Sequence, residues 1–154
     1  VEGRDERDQE DSRQVMARGS QQRLNPVSEQ LGAVTENWAT DSFDVRLVSD
    51  AYATAVGYET LVSFTEVTGG SYAAKASPVT WVRSGSKSTL QASSVSWALD
   101  PSGPQDARCA ILVNTTAGTV ETVTDLTTDG TTPLDNQAVP INVNYSLSAT
   151  IEVD

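Results

Sequence analysis

The clearest pattern in this chain is a strict alternation of apolar and polar positions over residues 139–153. Apolar side chains occupy all eight odd positions, and polar residues or proline occupy the even positions. A period of two residues is typical of a β-strand with one buried face. A segment of about fifteen extended residues would span roughly 50 Å, whereas most strands have about five or six residues. We therefore expect this segment to bend, to carry a bulge or to pass from one sheet to another.

Shorter segments earlier in the chain also have the pattern of strands. Residues 43–47 alternate apolar and charged side chains, and residues 108–113 are apolar on both faces, which favours a central, covered strand. Further strands are predicted over residues 58–67, 79–83, 90–99 and 119–126, separated by turns rich in glycine, proline and serine. Seven or eight short strands without a convincing helix predict an all-β fold, an antiparallel β-sandwich or jelly roll.

Residues 1–40 lack this pattern and are predicted to form an arm and a connector to the β body, residues 41–154. Up to Leu24 the chain has six acidic residues, five arginines and few apolar side chains. Such a composition buries too little apolar surface to offset the entropy cost of ordering the chain. We expect the arm to be extended and partly helical, because its acidic residues precede its arginines as a helix dipole favours and Gly19 suits a helix end.

To become ordered, an arm of this kind has to lie on its own body, on a sister copy or on another protein. Its apolar residues are the expected anchors, and its arginines are expected to pair with complementary charges of the partner. Trp38 in the connector is expected to attach the arm to the body. The predicted partner-binding residues are Val15, Met16, Leu24, Val27, Leu31, Arg13, Arg18, Arg23 and Trp38.

The net charge of −11 is concentrated after Leu24, where 15 acidic residues accompany five basic ones. An acidic body repels DNA and RNA, so nucleic-acid binding is excluded. The chain has no run of about 18 apolar residues, so we expect no membrane span. Low lysine with abundant aspartate, threonine, alanine and valine favours a protein of a high-salt cytoplasm, and the alternative is an ordinary acidic protein.

The side chains that catalysis most often uses are scarce in this chain. Histidine is absent, which excludes a Cys-His pair and a His-based triad. Cys109, the one cysteine, lies in an apolar run and is expected to be a buried free thiol. The acids show no spacing that selects a catalytic pair. We therefore expect no enzyme and no cofactor.

Loop aspartates are candidates for a structural Ca²⁺ site, although no D-x-D-x-D-G loop is present and solvated surface acids are the favoured interpretation. These candidates are Asp41, Asp44, Asp50, Asp125, Asp129 and Asp135.

Two further patterns have weak functional interpretations. Asn114 and Asn144 begin N-x-[ST] glycan-acceptor patterns, which arise by chance in a chain rich in Ser and Thr. The aromatic residues are candidates for a sugar-binding face, although core packing is favoured for Trp97 and Tyr145, which are in phase with aliphatic neighbours. The aromatic candidates are Trp38, Trp81, Trp97 and the tyrosines.

Three motifs within residues 43–116 resemble small structural proteins encoded beside capsid genes in tailed viruses of bacteria and archaea. The first, Phe43-Asp-Val-Arg-Leu-Val-Ser-Asp-Ala-Tyr52, is similar to a strand followed by Ser-x-Ala-Tyr in those proteins. The second, Glu66-Val-Thr-Gly-Gly-Ser-Tyr72, is similar to their E-V-x-G-x-x-Y turn. The third, Val95-Ser-Trp97 followed by Ala110-Ile-Leu-Val-Asn-Thr-Thr116, is similar to a V-x-W and A-V-I-Y-N-D-T pair of strands.

The match is incomplete. The family usually has Gly-Gly after the tyrosine, where this chain has Ala73-Ala-Lys75, and the arm and the last strand lie outside the match.

The resemblance implies a virion protein on the capsid exterior, a decoration, cement or turret subunit. Together with the composition, it indicates a virus of a halophilic archaeon. The expected partners are the major capsid protein and copies of the chain itself, and no catalytic residues are implied. One alternative is a tail or baseplate component. An alternative of another class is a secreted or cell-surface β-sandwich that binds glycans.

Overall fold

The computed structural model describes residues 21–23, 37–58, 60–84, 87–144 and 151–152, and these residues form an all-β fold of antiparallel sheets. The described residues contain one short helix, α1 (Tyr52–Ala55), and one 3-10 turn (Leu61–Ser63). The strands are β1 (Gln21–Arg23), β2 (Phe43–Val48), β3 (Lys75–Ala76), β4 (Val79–Ser84), β5 (Lys87–Ala92), β6 (Val95–Trp97), β7 (Cys109–Asn114), β8 (Thr119–Asp125), β9 (Ile141–Val143) and β10 (Ile151–Glu152). The predicted all-β class with antiparallel sheets is confirmed.

The strands form three sheets. The largest has five strands in the order β1-β8-β7-β2-β3, and the others have the orders β10-β5-β4 and β6-β9. Every strand pair is antiparallel. Side chains from the β6-β9 sheet, including Trp97 and Ile141, belong to the same hydrophobic core cluster as those of β2 and β7.

Strand β7 lies at the centre of the large sheet because it is apolar on both faces, as the sequence predicts. All six of its residues are buried. Residues directly opposite each other in an antiparallel pair point to the same face. Val45 lies opposite Leu112 on one face, and Arg46 lies opposite Ile111 on the other. Full burial of both Leu112 and Ile111 means that this strand contributes apolar stabilisation on both faces of the sheet.

The strand predicted over residues 58–67 is wrong. The described part of the segment contains the 3-10 turn, and its backbone pairs with the sheet through a bridge between Val48 and Glu66. The Asp50 carboxylate holds the segment by accepting hydrogen bonds from the Thr65 N–H at 2.6 Å and the Tyr58 hydroxyl at 3.1 Å. The Tyr58 and Phe64 rings meet edge to face with centroids 5.0 Å apart. Local contacts of this kind, rather than a ladder, account for the apolar spacing of this segment.

The strand predicted over residues 90–99 is divided between two sheets. Strand β5 ends at Ala92 and β6 begins at Val95. Between them, the Ser93 N–H and hydroxyl both donate to the Pro78 carbonyl, at 3.0 and 2.9 Å. These bonds satisfy the backbone where the chain leaves one sheet for the other. Leu99 lies beyond β6 and is 50% exposed.

The alternating segment over residues 139–153 contributes to two sheets, which is one of the outcomes expected for it. Strand β9 pairs with β6, and β10 pairs with β5. Ile141 and Val143 are buried while Asn142 between them is exposed, as the period of two predicts. Residues 145–150 lie outside the described residues.

The predicted arm is described only at residues 21–23 and from residue 37 onward, and the helix expected near Gly19 lies outside these residues. Residues 21–23 form a strand of the large sheet. In the part of the chain that the structure describes, no helix is long and apolar enough to cross a membrane.

Candidate functional site

The N-terminal segment meets the body at one edge of the five-stranded sheet. Strand β1 pairs antiparallel with β8, with Gln21 opposite Thr124, Gln22 opposite Val123 and Arg23 opposite Thr122. The hydrogen bonds of such a ladder join backbone groups, so residues with many different side chains can form it. This explains why the polar sequence Gln-Gln-Arg gave no strand signal. We call the paired strands β1 and β8 the arm edge.

Strand β8, which lies next to the edge strand β1, is buried on both faces. Thr122 and Thr124 are 4% and 3% exposed, and Val123 on the opposite face is 0% exposed. The hydroxyls of both threonines are buried without a hydrogen-bond partner. An unsatisfied buried polar group costs about 1–3 kcal/mol. The arm edge therefore combines a covered strand with polar groups that remain unsatisfied.

The residues predicted to bind partners are only partly described. Trp38 is 6% exposed and belongs to the core cluster of the body, so it lies with the body rather than on an exposed surface. Arg23 is the last residue of β1. The remaining predicted anchors lie outside the described residues, and they are Val15, Met16, Leu24, Val27, Leu31, Arg13 and Arg18.

The connector is fixed to the body just after Trp38. The Asn114 side-chain amide donates to the Asp41 carboxylate at 2.7 Å, and the Ser42 N–H donates to the Thr116 hydroxyl at 3.0 Å. The Asn114 carbonyl oxygen accepts the N–H groups of Thr116 and Ala117, both at 3.0 Å. Asn114 is fully buried, which agrees with a chance match to the glycan-acceptor pattern, and its role is structural.

A second candidate site is an open groove of about 540 Å³. Its lining includes the turn at Gly70, the side chains of Lys75 and Asp100, and the half-exposed Leu99. The Asp100 carboxylate accepts the Ser71 N–H and hydroxyl, both at 2.7 Å, which joins the two loops. These bonds already occupy the oxygen atom of Asp100 that faces Ser71.

Glycine is required at residue 70 of this groove. Its φ of +52° is unfavourable for residues with a side chain, and a Cβ atom there would collide with the Asp100 carboxylate. The sequence places the Gly-Gly turn, but only the fold brings it against Asp100.

The aromatic pair beneath the groove is structural. Tyr72 and Trp97 stack with ring centroids 5.9 Å apart. The Trp97 indole N–H donates to the Ala73 carbonyl at 2.8 Å, and the ring is 4% exposed. The Tyr72 hydroxyl accepts the Leu47 N–H at 2.9 Å and donates to the Glu66 carboxylate at 3.0 Å. Burial raises the pKa of Tyr72, so it stays neutral.

Asp100 gives the groove a pH dependence that can be measured. Hydrogen bonds from the Ser71 N–H and hydroxyl and from the Ser102 N–H lower the pKa of Asp100. Because the pKa of Asp100 is lower in the folded state than in the unfolded state, the carboxylate stabilises the fold at pH values above the unfolded-state pKa of about 4. This stabilisation is lost as the pH falls through the folded-state pKa. We expect Asp100→Asn to lower the urea midpoint at pH 7 and to differ less from the wild type at pH 3. A constant difference between the two proteins at both pH values would contradict this assignment.

Cys109 is buried and free, as predicted. Burial raises the pKa of its thiol to about 12. The thiol donates to the Asp50 carbonyl at 3.3 Å. A thiol in this state carries almost no thiolate at neutral pH, so it is unsuited to nucleophilic chemistry.

The loop aspartates considered as Ca²⁺ candidates accept hydrogen bonds from protein groups where their contacts are described. Asp125 accepts the N–H and hydroxyl of Thr127, at 2.9 and 2.8 Å. Asp129 caps its own loop, and hydrogen bonds from Thr132 and Thr131 lower its pKa. Among the described residues, no group of three or more His, Cys, Asp or Glu side chains is arranged to hold a metal ion.

Sequence reasoning missed Gln21, Gln22, Thr122 and Thr124 as residues of the arm edge, because strand pairing across a long connection leaves no pattern in either segment. Comparisons of the chain with protein families, with curated proteins and with solved structures find no match. The contacts of the arm edge and of the groove are therefore the basis for assigning a function.

Proposed function

We propose that this chain is a structural subunit on the exterior of a viral capsid, a decoration, cement or turret protein, most simply of a tailed virus infecting a halophilic archaeon. Its N-terminal arm binds the major capsid protein or neighbouring copies. The body is a β-sandwich or jelly roll in which the smaller sheets pack on the five-stranded sheet. The observation that carries the proposal is the pairing of β1 with β8. It supports an arm that binds through backbone groups at a sheet edge.

The mechanism of attachment is multivalent binding. A symmetric ring of copies presents several arms together, which raises the effective concentration of each arm at the shell. Charge pairs are screened at high salt. The apolar anchors therefore supply much of the binding free energy, and they are Val15, Met16, Leu24, Val27 and Leu31.

The polar groups of the groove support a structural role over a catalytic one. The Asp100 carboxylate, the Tyr72 hydroxyl and the Trp97 indole N–H all hold neighbouring segments together. A general base needs an atom that can accept a proton, and a general acid one that can donate a proton, within reach of a substrate. These groups are instead used to join the loops around the groove.

Truncation tests the proposal. Two deletions are compared on particles assembled with the major capsid protein, one of residues 1–20, which keeps β1, and one of residues 1–30, which removes it. We expect both to reduce occupancy at least tenfold, because each removes apolar anchors. Full-length Val62→Ala is the matched control, since Val62 is 92% exposed on the body and is expected to leave occupancy unchanged. Normal occupancy of the 1–30 deletion would show that the arm is not the anchor.

The location of the protein on the virion distinguishes the capsid proposal from a tail or baseplate role. Immunogold labelling of intact particles is expected to mark the capsid surface. Labelling confined to tails would support the alternative.

The groove favours one alternative of another class, a glycan-binding protein. It is open, and it is lined by Lys75 and Asp100 with the half-exposed Leu99 at its rim. A glycan array with the full chain and with Lys75→Ala tests this alternative. Binding that Lys75→Ala abolishes would favour it over the capsid proposal.

A further inference from the structure

The acidic residues of this chain avoid one continuous stretch, residues 67–99. This stretch contains three basic residues, Lys75, Arg83 and Lys87, and none of the 21 acidic residues of the chain. It includes the whole hairpin that β4 and β5 form. The hairpin is therefore a basic segment of a chain whose net charge is −11. Charge complementarity favours an acidic partner for such a segment.

Strand β4 is the one long outer strand in the part of the chain that the structure describes. The other outer strands of the three sheets are β1, β3, β6, β9 and β10, and each has two or three residues, whereas β4 has six. Among the described strands, β4 pairs only with β5. Short edge strands and prolines commonly protect a sheet from pairing with another chain. Val79–Ser84 has neither protection, so its outer side is a free edge.

The residues of β4 are suited to strand pairing. Val79, Thr80 and Val82 are β-branched, and residue 81 is tryptophan, which are types enriched in strands. In an antiparallel pair, alternate residues direct their N–H and C=O groups away from the partner strand. Six residues therefore present roughly three donors and three acceptors at the free edge. An added strand of about the same length can bond all of them.

The other side of the hairpin shows which kind of strand this sheet accepts. Strand β10 pairs with β5, with Ile151 opposite Ser88 and Glu152 opposite Lys87. Residues of opposite charge that lie directly opposite each other stabilise an antiparallel pair. The β5 side is thus occupied by a strand that places a glutamate opposite a lysine. On β4, Arg83 is the one charged residue, and no described strand lies on its outer side.

We propose that the free edge of β4 binds an extended acidic segment of a protein partner, which adds a strand to the β10-β5-β4 sheet. Backbone hydrogen bonds supply most of the affinity, and Arg83 favours a segment with a glutamate or aspartate opposite it. The rest of the chain repels acidic partners, so the hairpin is the place where one approaches at the lowest electrostatic cost. This contact lies on the body and goes beyond the proposed attachment of the arm.

Two peptides of about eight residues test the proposal, one alternating valine with glutamate and the other valine with lysine. Their affinities for the full chain are measured by fluorescence anisotropy, at the lowest salt concentration at which circular dichroism shows the chain folded, because salt screens charge pairs. We expect the glutamate peptide to bind roughly fivefold more tightly. The net charge of the chain by itself favours the lysine peptide. Equal affinities, or tighter binding of the lysine peptide, would therefore overturn the proposal.

Hydrogen exchange of backbone amides locates the bound peptide. We expect the glutamate peptide to slow exchange about tenfold within Val79–Ser84, while exchange in Cys109–Asn114 at the centre of the large sheet stays unchanged. Unchanged exchange in β4 would contradict the proposal. Faster exchange at Ile151–Glu152 would also contradict it, because the peptide would then have replaced β10.

Arg83→Glu tests the contribution of charge at the free edge. We expect this variant to bind the glutamate peptide about threefold or more weakly and to reverse the preference between the two peptides. Val62→Glu is the control, since Val62 is 92% exposed and lies outside the hairpin, and it is expected to keep the wild-type preference. The same preference in both variants would contradict the role of Arg83. The peptide comparison uses the unsubstituted chain, so it does not depend on the folding of Arg83→Glu.

A second copy of the chain is the alternative occupant of the free edge. Light scattering distinguishes it, because a copy that pairs through β4 makes a dimer that dissociates on dilution. Such a dimer, with exchange in Val79–Ser84 already slow in the absence of peptide, would overturn the proposal. These measurements use the free protein, whereas attachment is measured on particles, so a failure here leaves the proposed function unaffected.

Discussion

Replacing Leu112 by alanine is expected to lower the free energy of unfolding by about 2–5 kcal/mol, because the substitution leaves a cavity in a fully packed layer. Leu112 is 0% exposed and lies between Val45 on β2 and Thr122 on β8. Single domains are stable by only about 5–15 kcal/mol. The loss is therefore a large part of the total and is expected to lower the urea midpoint strongly.

Leu99→Ala is the matched control for Leu112→Ala. It removes the same atoms from a side chain that is 50% exposed. We expect a loss well below 1 kcal/mol from this change, since surface substitutions usually change stability by about 0.5 kcal/mol or less. Similar urea midpoints for the two variants would show that β7 is not the centre of the core.

Replacing Asn114 by aspartate is expected to destabilise the fold by about 3–5 kcal/mol at pH 7, the range found when a buried charge lacks a partner of opposite sign. The Asn114 amide nitrogen donates to the Asp41 carboxylate at 2.7 Å, and Asn114 is 0% exposed. In the variant, two carboxylates meet at this distance. The substitution changes one atom and almost no volume, so charge and hydrogen bonding account for the effect.

The loss in Asn114→Asp is expected to decrease as the pH falls. Two facing carboxylates raise the folded-state pKa of the pair above the unfolded value of about 4. A raised pKa contributes stability at low pH that is lost as the pH rises through the folded-state value. As the pH is lowered from 8 to 5, the urea midpoints of Asn114→Asp are expected to approach those of the wild-type protein. Asn142→Asp, at an exposed position of β9, is the matched control and is expected to show little change at any pH.

The prediction of β7 succeeded because burial on both faces is a property of the local sequence. A run of apolar residues has to be covered on both sides wherever it lies. The same reasoning applies to Cys109, which has an apolar neighbourhood in sequence and is buried in the fold. Alternation over residues 141–143 likewise predicted the buried and exposed faces of β9.

The predictions that were wrong depended on hydrogen bonds and ring contacts that an apolar period does not show. Residues 58–67 have strand-like apolar spacing, but the Asp50 carboxylate and an edge-to-face ring pair hold them in a turn. The strand over residues 90–99 is divided because the hydrogen bonds of Ser93 to Pro78 end one ladder before the next begins. Asp50 lies outside the first segment and Pro78 outside the second, so the apolar pattern of either segment does not show these contacts.

The sequence by itself determined the all-β class, the central strand and the absence of histidine chemistry, because each follows from composition or from a local apolar period. The tertiary structure decided that residues 21–23 pair with β8 and that Asp100 joins the two loops of the groove. It also decided that Trp38 belongs to the core. A backbone ladder accepts almost any side chain, and a buried position depends on what packs against it. These features follow from which distant segments meet, and a local pattern of residues does not specify those meetings.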